Sequence, residues 1–290
     1  METKTKSILK YLITPLLIVV LFLVFYKGYD NSDRLLHVDF YDVGQGDSFL
    51  ITTYQGNQIL VDGGPGDVIL ENLASDLGPF DKDLDMIVLT HAHLDHFEGL
   101  ISVLGKYKVK KILMPNVEFK TNQYLEFLAS VREEGAEVIY AVQGLRIYLD
   151  NATVLDILHP MQSDVMRPKK SADINDTSIV AMLRFGKTKL LLTGDASMEI
   201  ENKLLDSFDF DADLLKVGHH GSKYSTSQTF LDEVSPQFAI IQLGKDNDYG
   251  HPAPETIKRL EESKVETYRT DFNKNVEFVS DGSSLRLQKP

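Results

Sequence analysis

The sequence predicts an α/β body in which two packed sheets carry helices on their outer faces. Two observations predict it. From Leu35 onward, short runs that alternate apolar and polar residues keep giving way to segments with helical spacing. These runs also fall into two strand-rich halves, each followed by helices, an order that suits two stacked sheets covered from outside. A third observation separates what precedes the body: an apolar stretch fills most of residues 8–26.

Taken in order, residues 37–43 alternate as a strand should. Residues 48–53 and 58–61 follow across the Gln55-Gly56-Asn57 turn and read as a meander. Asp62-Gly63-Gly64-Pro65-Gly66 ends it, and 68–77 looks helical. Residues 86–89 form a short apolar strand, 97–104 a helix, 111–114 a strand, and 122–134 a helix stopped by Gly135. Further strands are expected at 137–141, 146–149, 153–158, 178–185 and 189–193, with a helix at 198–205. Then come strand 213–217, helix 228–234, strand 238–242 and helix 254–262. Strands at 265–269, 276–279 and 284–287 close the chain. Residues 160–176 form a long irregular stretch, and loops of that length are more often functional than accidental. No second boundary is visible, so residues 35–290 read as one domain.

The N-terminus reads as a membrane anchor. The apolar run is about 19 residues, close to the ~20 that cross a hydrocarbon core. Lys4, Lys6 and Lys10 stand at its N-terminal end, before the apolar part at residues 11–25, which places the short tail in the cytoplasm and the body outside. The exit, Phe25-Tyr26-Lys27-Gly28-Tyr29-Asp30, offers no small-x-small cleavage site, so an uncleaved single-pass anchor is expected. Cleavage would instead make the body a secreted protein. Residues 1–29 are therefore read as tail and transmembrane helix, and 30–34 as a polar linker.

Composition excludes several classes. The chain has no cysteine, which rules out a disulfide scaffold, a thiolate metal site, a cysteine nucleophile and a lipid-modified cysteine. A net charge of −13 over 290 residues argues against gripping duplex DNA by bulk positive charge. It leaves room for a site that holds phosphate through metal ions, which bring their own charge.

The chemistry sits at strand ends. Thr90-His91-Ala92-His93-Leu94-Asp95-His96 follows an apolar strand and precedes a helix. Imidazoles and a carboxylate are the ligand set of zinc and related metals. His91 and His93 are spaced to reach one ion, and Asp95 and His96 can turn to a second. Thr193-Gly194-Asp195 and Val217-Gly218-His219-His220-Gly221-Ser222 also end apolar strands, and Tyr249-Gly250-His251-Pro252 lies further on. Six of the 8 histidines fall in these motifs.

These segments resemble the metallo-β-lactamase superfamily, and within it the extracytoplasmic hydrolase domain of the ComEC competence-protein branch. Asp42-Val43-Gly44-Gln45-Gly46-Asp47-Ser48, Asp62-Gly63-Gly64, Asn175-Asp176-Thr177-Ser178 and Arg269-Thr270-Asp271 extend the resemblance from about residue 37 to 281. The resemblance implies an αββα four-layer sandwich with a dinuclear metal site. It also implies metal-dependent hydrolysis, with a nuclease or phosphodiesterase substrate class. By motif, His91 and His93 would bind the first metal, and Asp95 and His96 the second. Asp195 would bridge both, and His219 would complete the second site. The superfamily's remaining first-metal histidine is absent. Asn175 and Asp176 stand in its place, as ligands or as support beside the first metal, and this departure argues against β-lactam hydrolysis. His159, just before Pro160, is read as structural.

Two divalent ions are expected, zinc first and manganese as the alternative. A hydroxide that they hold would have its pKa lowered towards ~7 and attack a phosphodiester in line. Asp95 would orient it. His220 and His251 would touch the phosphate or protonate the leaving group, or else support the ligands. Ser222 would donate to a phosphate oxygen or cap a helix. Arg167, Lys169 and Lys170 would contact a polyanion, whereas Lys106, Lys108, Lys110 and Lys111 read as a solvated strand edge. Asp39, Asp42 and Asp47 read as turn residues that bond backbone, and Asp62 as part of a loop passing close to the metals. The expected function is a membrane-anchored nuclease or phosphodiesterase outside the cytoplasm. One span cannot form a pore, so a role in DNA uptake would require a channel partner. The rivals are an esterase for teichoic acid or phospholipid head groups and a non-catalytic DNA-uptake binding module.

Overall fold

The computed structural model describes residues 13–19, 34–78, 80–162, 174–205, 207 and 210–289. The chain divides into two compact units, Met1–Arg34 and Leu35–Pro290, and each is taken by itself. In the first, residues 13–19 are helical, with Ile13, Leu16, Leu17, Ile18 and Val19 exposed. No helix among the described residues is long and apolar enough to cross a membrane. The rest of the expected span lies outside the described residues, as do Arg167, Lys169 and Lys170.

The second unit holds the two expected sheets. In the first, β1 (Leu36–Phe40), β2 (Phe49–Thr52) and β3 (Gln58–Val61) run antiparallel. They continue in parallel through β4 (Asp83–Val88), β5 (Lys108–Met114) and β6 (Glu137–Tyr140). The second sheet starts antiparallel with β7 (Arg146–Tyr148), β8 (Thr153–His159), β9 (Val180–Phe185) and β10 (Thr188–Leu192). It continues in parallel through β11 (Leu214–Lys216), β12 (Phe238–Ile241) and β13 (Glu266–Arg269). The chain then returns to the first sheet, where β14 (Val276–Ser280) and β15 (Leu285–Lys289) add to the free side of β1.

Strand alternation decides which core each side chain enters. Phe40, Ile51, Ile59, Leu190, Ile240 and Phe278 are among those that fill the space between the sheets. Their neighbours Leu50 and Leu60 face outward to α1 (Ile69–Asp76), α2 (Leu94–Leu104) and α3 (Asn122–Glu134). Leu191, Ala239 and Ile241 face α4 (Met198–Leu205), α5 (Gln228–Val234) and α6 (Pro254–Glu262) on the other side. Three apolar layers between four structural layers are the expected sandwich. Each fully buried Leu, Ile or Phe contributes roughly 1.5–3 kcal/mol of transfer free energy.

Boundaries shift where local chemistry outweighs hydrophobic spacing. α2 starts at Leu94, not at residue 97, because His93 takes the N-cap position with extended backbone. β5 extends back through the lysines, which stay at the surface and pair outward: Lys108 with Glu134 (2.9 Å), Lys110 with Asp85 (2.7 Å) and Lys111 with Glu137 (3.8 Å). The lysines are solvated as expected, but β5 lies between β4 and β6 and is not an edge strand, and Lys106 precedes it.

Candidate metal centre

The motif residues gather at the C-terminal ends of parallel strands, the usual place for ligands in open α/β sheets. Asp62 follows β3, the His91–His96 segment follows β4, Asp195 follows β10, and His219 and His220 follow β11. The two sheets are stitched at this edge. Ile179 N–H, just before β9, donates to Thr90 O, just past β4 (2.9 Å), and within the second sheet Asp195 N–H donates to Ser178 Oγ (3.1 Å).

Asp195 is the centre of the cluster. Its Oδ2 lies 3.7 Å from His91 Nε2, 3.5 Å from His96 Nε2 and 3.4 Å from His220 Nε2. Asp95 Oδ2 lies 3.3 Å from His220 Nε2 and 3.9 Å from His96 Nε2. Four overlapping donor groups result among the described residues, and two of them do without Asp47: His91 with His96 and Asp195, and Asp95 with His96 and His220. Two donors at ~2.1 Å from one ion, subtending a tetrahedral angle, lie about 3.4 Å apart. The observed separations therefore suit donors spaced around a cation. His96 Nε2, His220 Nε2 and Asp195 Oδ1 are buried with no hydrogen-bond partner among the described residues. Buried polar atoms left so are costly, and divalent ions held in this cluster would offer them partners. The residues fit divalent metals.

Electrostatics agree. Burial alone would depress His96, but Asp195 and Asp62 outweigh it and hold the imidazole well above its ordinary range. Burial likewise opposes the charge on His220, and Asp195 and Asp47 override it in the same way. Burial would raise Asp195, yet His220 and His96 hold it well below the usual carboxylate range. These carboxylates draw positive charge to the spot. Burial and His96 hold His91 well below the ordinary imidazole range, and at His96 and His220 a bound cation would take the place of the proton that the carboxylates favour.

The paired histidines part company in the structure. His220 converges with Asp95 and His96, whereas His219 stands aside, with 32% of its side chain exposed and Nε2 3.9 Å from Asp195 Oδ2. Both residues have left-handed backbone, with φ of 48° and 52°. Two successive left-handed residues turn the second ring inward, a strained conformation typical of functional sites. His220 Nδ1–H donates to Gln242 O (2.9 Å), which fixes the tautomer that leaves Nε2 facing the cluster.

Other expected residues separate. His93 touches His91 (3.2 Å) and lines the cleft, but it joins neither donor group. Asn175 approaches His219 through Nδ2 (3.3 Å). Asp176 accepts from Ser197 Oγ (2.6 Å), away from the donor groups. Ser222 is buried, and its hydroxyl accepts the Tyr224 N–H (3.3 Å), so it caps a turn and does not reach into the cleft. His159 is buried, with Nδ1–H donating to Ser178 O (2.8 Å), the structural role expected of it. His251 lines the cleft, and burial, with help from His219 and His220, holds its pKa down to about 4.

Two residues read as bland in the sequence, Asp62 and Asp47, belong to the centre, together with Lys216, which the sequence did not single out. Asp62 accepts Thr90 N–H (2.8 Å), the Thr90 hydroxyl (2.6 Å) and His96 Nδ1–H (2.8 Å). It therefore aims His96 at the donor groups. Asp47 and Lys216, each 1% exposed, form a buried ion pair, and Asp47 Oδ1 lies 3.3 Å from His220 Nδ1. Because the Lys216 ammonium already neutralises Asp47, the carboxylate serves His220 and is no free ligand. Asp62→Asn should lower metal affinity by about 10–100-fold, as loss of such a partner usually does. Chelator competition measures this, and unchanged affinity would mean that packing alone orients His96.

Residues 41–245 match the family model described as the metallo-beta-lactamase superfamily. The chain belongs to this superfamily. It is 31% identical over 278 residues to "ComE operon protein 3" of Bacillus subtilis (strain 168), covering 89% of this chain and 34% of that protein. It is 28% identical over 255 residues to "Competence protein ComA" of Neisseria gonorrhoeae, covering 87% and 33%. The chain thus spans about a third of the length of these curated relatives. Among solved structures, Igni18, a metallo hydrolase from Ignicoccus hospitalis KIN4/I, superposes with a TM-score of 0.53 at 13% identity, covering 83% of this chain and 98% of that one. At that identity the likeness speaks for the fold. The chain has the metallo-β-lactamase fold, a candidate divalent-metal site, and kinship with competence proteins.

Proposed function

We propose that this chain is a metal-dependent phosphodiesterase acting on nucleic acid, anchored in the membrane with residues 35–290 outside the cytoplasm. The observation that carries the reading is the pair of overlapping donor groups sharing His96, at the floor of a cleft of about 300 Å³. Two divalent ions held there would lower the pKa of a water towards ~7 and neutralise charge building on phosphoryl oxygens. The first would rest on His91 and Asp195, and the second on Asp95, His96 and His220, with Asp195 facing both; His96, whose Nδ1–H is given to Asp62, has one lone pair to offer and would serve one ion. His93 and His251 line the cleft wall, where they can hold a phosphate oxygen in place. His251, neutral near pH 7, can accept or share a hydrogen bond there but is not itself a charged acid. The kinship with competence proteins favours nucleic acid as the substrate. The lysine-flanked apolar run at residues 8–26 supports the anchor.

The test is hydrolysis of bis(p-nitrophenyl) phosphate and of single-stranded DNA by the purified full-length chain, loaded with zinc or manganese or stripped with chelator. Turnover of both substrates is expected only when metal is present. Turnover of the small ester alone would move the substrate to teichoic acid or phospholipid head groups. Bound metal without turnover of either would sink the phosphodiesterase reading. Membrane fractionation, with added protease outside the cell, tests the anchor and its orientation.

A further inference from the structure

Aromatic surface at the mouth of the cleft is left unused by the metal-facing residues. Tyr249 is 70% exposed, yet it lines the same cleft as Asp95, Asp195 and His220. Its ring stacks on that of His251 (centroids 6.0 Å, 21° between planes), and His251 meets His219 edge-on (5.6 Å, 73°). Three rings thus lead from the rim to the carboxylate at the centre. The loop that carries two of them is held by one side chain. Asn247 Nδ2 donates to Gly244 O (3.1 Å) and His251 O (2.7 Å), and Asn247 Oδ1 accepts the N–H groups of Tyr249 (3.2 Å) and His251 (3.0 Å).

A single exposed tyrosine is ordinary. This one differs because it is backed by a second ring, fixed by its loop and continuous with the donor cluster. We propose that Tyr249, backed by His251, is a stacking platform for a nucleobase flanking the scissile phosphate. That makes it a specificity-determining residue for single-stranded nucleic acid. The inference rests on the phosphodiesterase reading above and names its substrate more closely. Every base has a π-face, so such a platform tolerates any sequence. The net charge of −13 denies the chain a long-range electrostatic grip on a polyanion, which gives short-range stacking weight beside the metals and the cleft histidines. A glycerol phosphate chain has no ring to place there.

The metal-loaded full-length chain is assayed on a single-stranded oligothymidylate and on an oligonucleotide of equal length whose sugars carry no bases. The wild type should show a KM about tenfold lower for the oligothymidylate, in line with the stacking of one base on one aromatic ring. Tyr249→Ala should collapse that ratio to about one, and Tyr249→Phe, which keeps the ring, should retain it. Equal KM values in the wild type, or a ratio unchanged in Tyr249→Ala, overturns the platform while the phosphodiesterase reading stands. Failure of the wild type to cleave either oligonucleotide removes that reading and the platform with it.

Discussion

Asp195→Asn should lower metal-dependent hydrolysis by more than about 100-fold. Partners one step removed from a metal already cost 10–100-fold when lost, and Asp195 faces the donor cluster directly. Its Oδ2 stands within 3.7 Å of Nε2 of His91, His96 and His220, so a single neutral amide takes the carboxylate out of the first donor group and removes the negative charge that faces two histidines of the second. Asparagine keeps the shape and the Ser178 contact to the backbone N–H, so the fold should survive. Elemental analysis of the purified variant should find less than the metal content of the wild type. Full metal content with undiminished turnover would remove Asp195 from the centre.

The second large effect is expected at a residue that offers no ligand atom. Gly99 lies inside α2 where the helix crosses the Asp62-Gly63-Gly64 loop. A Cβ built there meets Gly63 O at 2.1 Å, and one built on Gly63 meets Leu100 N at 2.5 Å. Gly99 N–H donates to Gly64 O (2.9 Å), and Gly63 N–H donates to His96 O (2.7 Å), so this close approach also registers the first turn of α2. In an open helix, Gly→Ala would gain up to ~1 kcal/mol. Here the methyl group collides with backbone that cannot rotate away, and overpacking of about 1–3 kcal/mol wins. Gly99→Ala should therefore lower the melting temperature and, by displacing Asp95 and His96, weaken metal binding. A melting temperature equal to or above that of the wild type would show that the loop yields freely.

What could be read from the sequence divides along physical lines. The His91–His96 segment was legible because its donors sit within one turn at a strand end, so local spacing alone brings them together. The two-sheet sandwich was legible because alternation in strands such as β2 and β12 survives in the letters. The choice between His219 and His220 was not, since it depends on two left-handed residues that no hydrophobic pattern reports. Asp62 looked like part of a glycine turn, yet its own left-handed backbone (φ 53°) directs the carboxylate under Thr90 and His96. Lys216 was hidden inside an apolar strand, and only its distant partner reveals it. A charged residue in an otherwise apolar β11 was the signal that could have found it. The return of β14 to the side of β1 left no local trace, because strand order is a property of the whole chain.

The Asp47–Lys216 pair has a consequence for assembly. Asp47 belongs to the connection between β1 and β2, and Lys216 ends β11, so each sheet contributes one charge. An apolar pair of similar volume would stabilise the protein as well or better. It would also tolerate a sheet docked one residue out of place. A misdocked sheet with this pair buries a lone ammonium or a lone carboxylate, at a cost of about 3–5 kcal/mol. That is a large fraction of the 5–15 kcal/mol that separates a typical native domain from its unfolded chain. The pair therefore acts as a proofreading contact. It adds little to the depth of the native well and much to its solitude, so that both halves of the cluster meet in one alignment.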